Sequence, residues 1–164
     1  MLKLPKDVVA DPRHDLVLAL LTSDTRLLWE KGANEVATLP LTLALGTELR
    51  RALATNMASR GLEEIAKELD REQKGLDALI EKTPNPQGTR ISRVLFFAND
   101  GSERFYRDCD SLLSRYPQRL LGCRLDATGE GFGIALFGEP KLVRALLITD
   151  KKTASRALLS LVKN

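Results

Sequence analysis

The stretch Arg93–Ser102, RVLFFANDGS, decides how the chain is read. Val94-Leu95-Phe96-Phe97-Ala98 is a continuous apolar run, not an alternating one. A run of that length bounded by turn residues fits a strand buried on both faces. Asn99, Asp100, Gly101 and Ser102 stop it and offer helix caps, and a charged amphipathic segment follows at once. This strand–turn–helix unit predicts an α/β domain, with α+β as the nearest alternative. The expectation is a central mixed sheet of about five strands, helices on both faces and an N-terminal hairpin.

Working outward, Glu103 to Tyr116 reads as a helix with Phe105, Cys109, Leu112, Leu113 and Tyr116 inside. Arg119 to Leu125 reads as a second strand. Thr128 to Gly133 is a glycine-rich turn, and Ile134 to Phe137 is either a helical turn or a hairpin return. Leu142 to Ile148 is a third strand, and Lys151 to Lys163 a final helix. Upstream, Arg60 to Lys82 keeps a 3.6-residue apolar period through Leu62, Ile65, Leu69, Leu76, Leu79 and Ile80. An earlier helix starts after Gly46 with Thr47 as cap, and Gly61 breaks or kinks it. Residues 83–89, TPNPQGT, form an internal loop.

The N-terminal third is less decided. Residues 1–14 read as an extended arm because Pro5 and Pro12 oppose helix. Asp15 to Trp29 is apolar on both faces under either period, so hairpin and helix both remain open. The turn-like Ser23-Asp24-Thr25 favours the hairpin. A further strand follows at Val36 to Leu41, with Pro40 arguing for an edge position.

A length of 164 residues, 43% apolar and 29% charged residues predict one globular domain over 1–164. No run approaches the ~20 apolar residues of a membrane span, and the N-terminus lacks a signal-like apolar stretch. Two cysteines make no disulfide framework, so reduced thiols and a cytoplasmic setting are expected. Net charge is +3. From residue 141 onward Lys141, Arg144, Lys151, Lys152, Arg156 and Lys163 face the single acid Asp150. That bias suits nucleic acid, and a solvated helix face accounts for it as well.

The chemistry-bearing residue types are few. His14 is the only histidine, which nearly excludes a His-based triad and a His-rich zinc site. Asp100, Asp126 and Asp150 each follow a strand, where three carboxylates could hold Mg²⁺ for phosphoryl transfer. Asp100 and Asp150 also precede helices, where aspartate serves as a cap. GEGFG lacks the Lys-Ser/Thr of a phosphate loop. Trp29 reads as a core or rim anchor. The expectation is therefore a non-catalytic domain without a cofactor.

Lys31-Gly32-Ala33-Asn34-Glu35-Val36 resembles the Gly-x-Asn-Glu motif of the kink-turn RNA-binding ribosomal-protein family. FFANDGSE, GEGFGIALFGEP and ALLITDKKTASRAL resemble later pieces of that family in the same order. The resemblance implies a motif that opens a helix and grips RNA. Asn34 and Glu35 would read sheared G·A pairs, Gly32 would allow close approach and Lys31 would meet phosphate. The long segment between Val36 and Arg93 departs from the family. RLLGCRLDATGEGFGIAL also resembles the end of the RNase H-like middle domain of archaeal and eukaryotic peptide release factors, without their catalytic Gly-Gly-Gln. Both resemblances imply ribosome or RNA association. The expected partner is structured RNA or a ribonucleoprotein, met by Lys31, Gly32, Asn34, Glu35, Lys151, Lys152 and Arg156. The alternative is an assembly module that binds a protein or a second copy through 60–82.

Overall fold

A computed structural model describes residues 2–82 and 90–163. The predicted loop over 83–89 lies outside the described residues. Among the described residues thirteen elements follow in order. They are α1 (Lys6–Val9), α2 (His14–Thr22), β1 (Thr25–Leu27), β2 (Glu35–Leu39), α3 (Leu43–Ala54) and β3 (Ala58–Arg60). Next come α4 (Leu62–Lys82), β4 (Arg93–Phe97), α5 (Glu103–Arg115), β5 (Leu120–Leu125), α6 (Gly129–Phe137), β6 (Ala145–Ile148) and α7 (Lys151–Leu159).

The α/β reading holds. The strands form one six-stranded mixed sheet in the order β1-β2-β5-β4-β6-β3, one strand more than about five. β2, β5 and β4 run parallel at its centre, while β1, β6 and β3 each pair antiparallel with their neighbours. β4 is an inner strand. Val94, Phe96 and Ala98 point into one core with α2, α3, α6 and α7. Leu95 and Phe97 point into a second core with α4 and α5. All five are fully buried. Side-chain alternation on a strand covered from both sides explains why its sequence shows no polar position.

Several boundaries and one element differ from the sequence reading. Residues 1–14 are not a plain arm, since Pro5 leads into α1 and Leu4 and Val8 enter the core. The favoured hairpin over 15–29 is a helix, α2, followed by the short β1. Val17 and Leu21, one turn apart, face the core, while Leu16 and Leu20 stay exposed. These outward leucines erased the polar face that would have marked a helix. β2 is not an edge strand; β1 covers it, and Pro40 falls just past its end, where no ladder bond is lost.

α3 begins before Gly46, capped by Thr42, whose hydroxyl accepts from the Leu45 N–H at 3.1 Å. It ends earlier than its apolar face suggests. Asn56 takes a left-handed conformation (φ 59°), and the Met57 N–H reaches the Ala52 carbonyl at 2.7 Å. This closing motif accepts asparagine in place of glycine. The chain then forms edge strand β3, which sequence reading missed because three residues carry no period.

The glycine-rich turn is also a helix. α6 starts at Gly129, capped by Thr128, and Ile134 to Phe137 is its last turn. Its glycines serve packing. A Cβ on Gly133 would lie 1.4 Å from the Lys141 carbonyl oxygen, so only glycine lets the return segment run against the helix. α7 ends at Leu159, short of Lys163. α4 runs unbroken through Gly75. Among the described residues no helix is long and apolar enough to cross a membrane.

Cys109 and Cys123 are free and belong to cores on opposite faces of the sheet. Burial pushes both thiols up to about 12. Thiolate is the reactive species, so neither should react with a disulfide reagent in the native state. Both should titrate in denaturant; a fast native reaction would contradict the core placement.

Candidate nucleic-acid interface

Two edges of the sheet gather polar residues. At the carboxyl ends of β4 and β5 the chain leaves toward opposite faces, α5 to one and α6 to the other. Such a switch point is the usual ligand crevice of an open α/β sheet. Here the chain's own groups fill it. Asp100 Oδ1 accepts from the Gly129 N–H at 2.9 Å and lies 3.5 Å from Arg144 Nε. It thus occupies the place at the start of α6 that an anion would take. The Asn99 N–H donates to the Ala127 carbonyl at 2.9 Å, and its side-chain amide donates to Asp126 at 3.3 Å. Tyr106 donates to the Ala98 carbonyl at 2.7 Å and accepts from the Gly101 N–H at 3.0 Å.

The three aspartates do not converge. β6 runs antiparallel to β4, with Ile148 opposite Val94, so Asp150 lies at the start of β4. Asp100 and Asp126 lie beyond its other end. Sequence order placed each aspartate after a strand, but strand direction separates them. Among the described residues no group of three potential metal ligands occurs. Asp150 instead caps α7, accepting from the Thr153 N–H at 3.0 Å and its hydroxyl at 2.8 Å. Those hydrogen bonds, with help from the charges of Arg93 and Arg156, outweigh burial and lower its pKa. Asp100 is not the cap of α5; Ser102 is.

Residues 31–35 lead into β2 and do not open a helix, unlike the motif they resemble. Glu35 pairs with Leu27 as the first residue of the strand. The Asn34 amide is occupied. Its Nδ2 donates to the Asp110 carboxylate at 2.9 Å, the Asp110 carbonyl at 3.1 Å and Ser114 at 2.8 Å. Asp110, only 7% exposed, also accepts from the N–H groups of Ala33 and Asn34 and from the Trp29 indole. This constellation fastens the β1–β2 connection onto α5. It reads as a clasp within the fold, with Trp29 as the rim anchor. Lys31 and Glu35 are exposed, and Gly32 packs against Trp29.

The opposite edge of the sheet is basic. The parallel strands β4 and β5 both start there, and Arg93 and Arg119 stand at or just before their first residues. The N–H groups of Ser92 and Arg93 donate to the Arg119 carbonyl at 3.0 and 3.1 Å. The Ile91 N–H donates to the Lys3 carbonyl, and Arg90 Nη1 to the Leu4 carbonyl at 3.3 Å, bringing the N-terminal segment to the same edge. β6 ends there, so α7 begins there with Lys151, Lys152 and Arg156 exposed. Lys152 and Arg156 line a groove of about 450 Å³ between α1 and α7, together with Asp7 and Asp11. Glu72 on α4 bridges Arg93 Nε at 3.0 Å and Arg119 Nη1 at 3.1 Å.

Of the residues expected at RNA, the structure groups Lys151, Lys152 and Arg156 on this edge; Lys31, Gly32, Asn34 and Glu35 belong to the β1–β2 connection, which lies at the same end of the sheet because β2 runs parallel to β5. Sequence reading missed Arg90, Arg93 and Arg119. A signal existed: two apolar strands are each preceded by arginine. Only their parallel pairing puts those arginines side by side. Comparison with protein-family models and with curated proteins finds no match for this chain.

Proposed function

We propose that this chain is a non-catalytic domain that binds structured RNA or a ribonucleoprotein through the basic edge. The observation that supports it is the convergence of Lys3, Arg90, Arg93, Arg119, Lys151, Lys152 and Arg156. Most of the carboxylates beside them are already engaged. Glu72 is held by two arginines, Asp150 caps α7 and Asp11 pairs with Arg13. Cations at that density suit phosphates, which position a nucleic acid without reading its sequence. The two resemblances also imply ribosome or RNA association, though not through Asn34, whose amide is already used by Asp110 and Ser114.

Binding of this kind should weaken steeply with salt, and filter retention of a structured RNA measures it. Replacing Lys151, Lys152 and Arg156 with alanine should weaken binding. The logarithmic salt slope should fall by about 0.7–0.9 for each phosphate that is no longer neutralised. No retention by the unaltered protein at low salt would remove the reading.

One observation favours a second reading, an assembly module. α4 spans 21 residues, about 31 Å, against about 16 Å for the five-residue β4. Its distal half outruns the sheet, leaving Leu79 and Ile80 52% and 54% exposed. Sedimentation at high concentration tests self-association; a strict monomer would count against it.

A further inference from the structure

The basic edge contains an unbalanced cluster. Arg93 and Arg119 share a single carboxylate, Glu72, and all three side chains are mostly buried. Arg119 uses Nη1 for that contact. Its Nε and Nη2 are shielded from solvent and have no hydrogen-bond partner among the described residues. The hydroxyl of Tyr116 is in the same condition, on a residue only 4% exposed. The Arg119 guanidinium lies 5.5 Å from the Tyr116 ring centre.

Their chemistry is one-sided. Guanidinium N–H groups donate and cannot accept, and a tyrosine hydroxyl can donate. What the cluster lacks is an acceptor; Asp150, whose carboxylate feels the charge of Arg93, is already used as the cap of α7. Nε and Nη2 form the side edge of the guanidinium, whose parallel N–H bonds match two oxygens of a phosphate or carboxylate. Buried groups left in this state destabilise a fold unless something completes them. Glu72 cannot, since it is held between Arg93 and the far end of Arg119. Arg119 keeps 14% of its side-chain surface.

We infer that the Arg119 side edge, with Arg93 and Tyr116 beside it, is a binding site for one phosphate group. This deepens the reading of the same edge, since the phosphate could be an RNA phosphodiester or a phosphate monoester.

The test is thermal unfolding of the whole chain in inorganic phosphate, with sodium chloride at matched ionic strength as control. Phosphate should raise Tm with the logarithm of its concentration, beyond the control. Dimethyl phosphate tests the diester: a matching rise assigns the site to nucleic-acid backbone, and a rise with inorganic phosphate alone assigns it to monoesters. Arg119→Lys keeps the charge but loses the fork, and should require about tenfold more phosphate for the same shift. Glu72→Gln, which removes the competing anion, should require less. No phosphate-specific shift in the unaltered protein overturns the site, as does an Arg119→Lys response equal to it. RNA retention decides separately. A phosphate shift without RNA binding keeps the site and removes the RNA reading; RNA binding without a phosphate shift does the reverse.

Discussion

Phe96→Ala and Phe97→Ala should each destabilise the protein by about 3–5 kcal/mol, as buried phenylalanine truncations do. The two rings are adjacent in sequence and belong to separate cores. Phe96 lies among α2, α3, α6 and α7, and Phe97 lies beside α4, α5 and the ring of Tyr106, 6.0 Å away edge-on. Each loss is a large share of a typical ~5–15 kcal/mol stability. Chemical denaturation of the two single variants measures both. Two similar losses fit helices on both faces of the sheet. A loss near zero in either would mean that face is open to water.

Asp110→Asn should cost about 1–3 kcal/mol, although it changes only one heavy atom. The carboxylate accepts from the Trp29 indole, the Ala33 and Asn34 N–H groups and the Asn34 amide. An asparagine turns one acceptor oxygen into a donor aimed at donors, and buried donors without acceptors are costly.

The same residue makes a pH prediction. Burial alone would raise the Asp110 pKa, but the hydrogen bonds from Ala33, Asn34 and Trp29 together outweigh it and hold the pKa below the ordinary carboxylate value of 3.8. A group depressed in the folded state stabilises fully above its unfolded pKa. That contribution fades as pH falls from the unfolded value through the folded one. Unfolding free energy should therefore drop on acidification below about pH 4, with Asp150, also depressed, contributing in the same direction. In Asp110→Asn the drop should be shallower. Denaturant titrations between neutral pH and about pH 2 compare the slopes; equal slopes would show that Asp110 carries no linked stability.

The clasp also bears on how sites are read from sequence. Gly32-Ala33-Asn34-Glu35 carries the residue types of an RNA-reading motif. Of the two side chains that would do the reading, Asn34 is instead consumed by Asp110 and Ser114, about eighty positions away in the chain. Motif identity shows donors and acceptors; it does not show whether the fold has already used them. The glycines of GEGFG give the same lesson in backbone form. Their composition reads as a turn, yet close approach between α6 and its return segment demands glycine inside a helix.

Features whose signal is local were legible in the chain before its fold was known. The apolar run of β4, the amphipathic periods of α4 and α5, and the arginine-led β5 each carry their pattern within one element, because burial from one or both sides selects side chains at period 3.6 or throughout. The α/β class and the double coverage of the sheet follow from those elements. Tertiary structure alone decided what depends on direction and adjacency. Antiparallel β6 sent Asp150 away from Asp100 and Asp126, and parallel β4 and β5 set Arg93 beside Arg119. α2 could be told from a strand only by which leucines met the core. Strand direction and pairing order are fixed by contacts between residues far apart in the chain, and no local period records them.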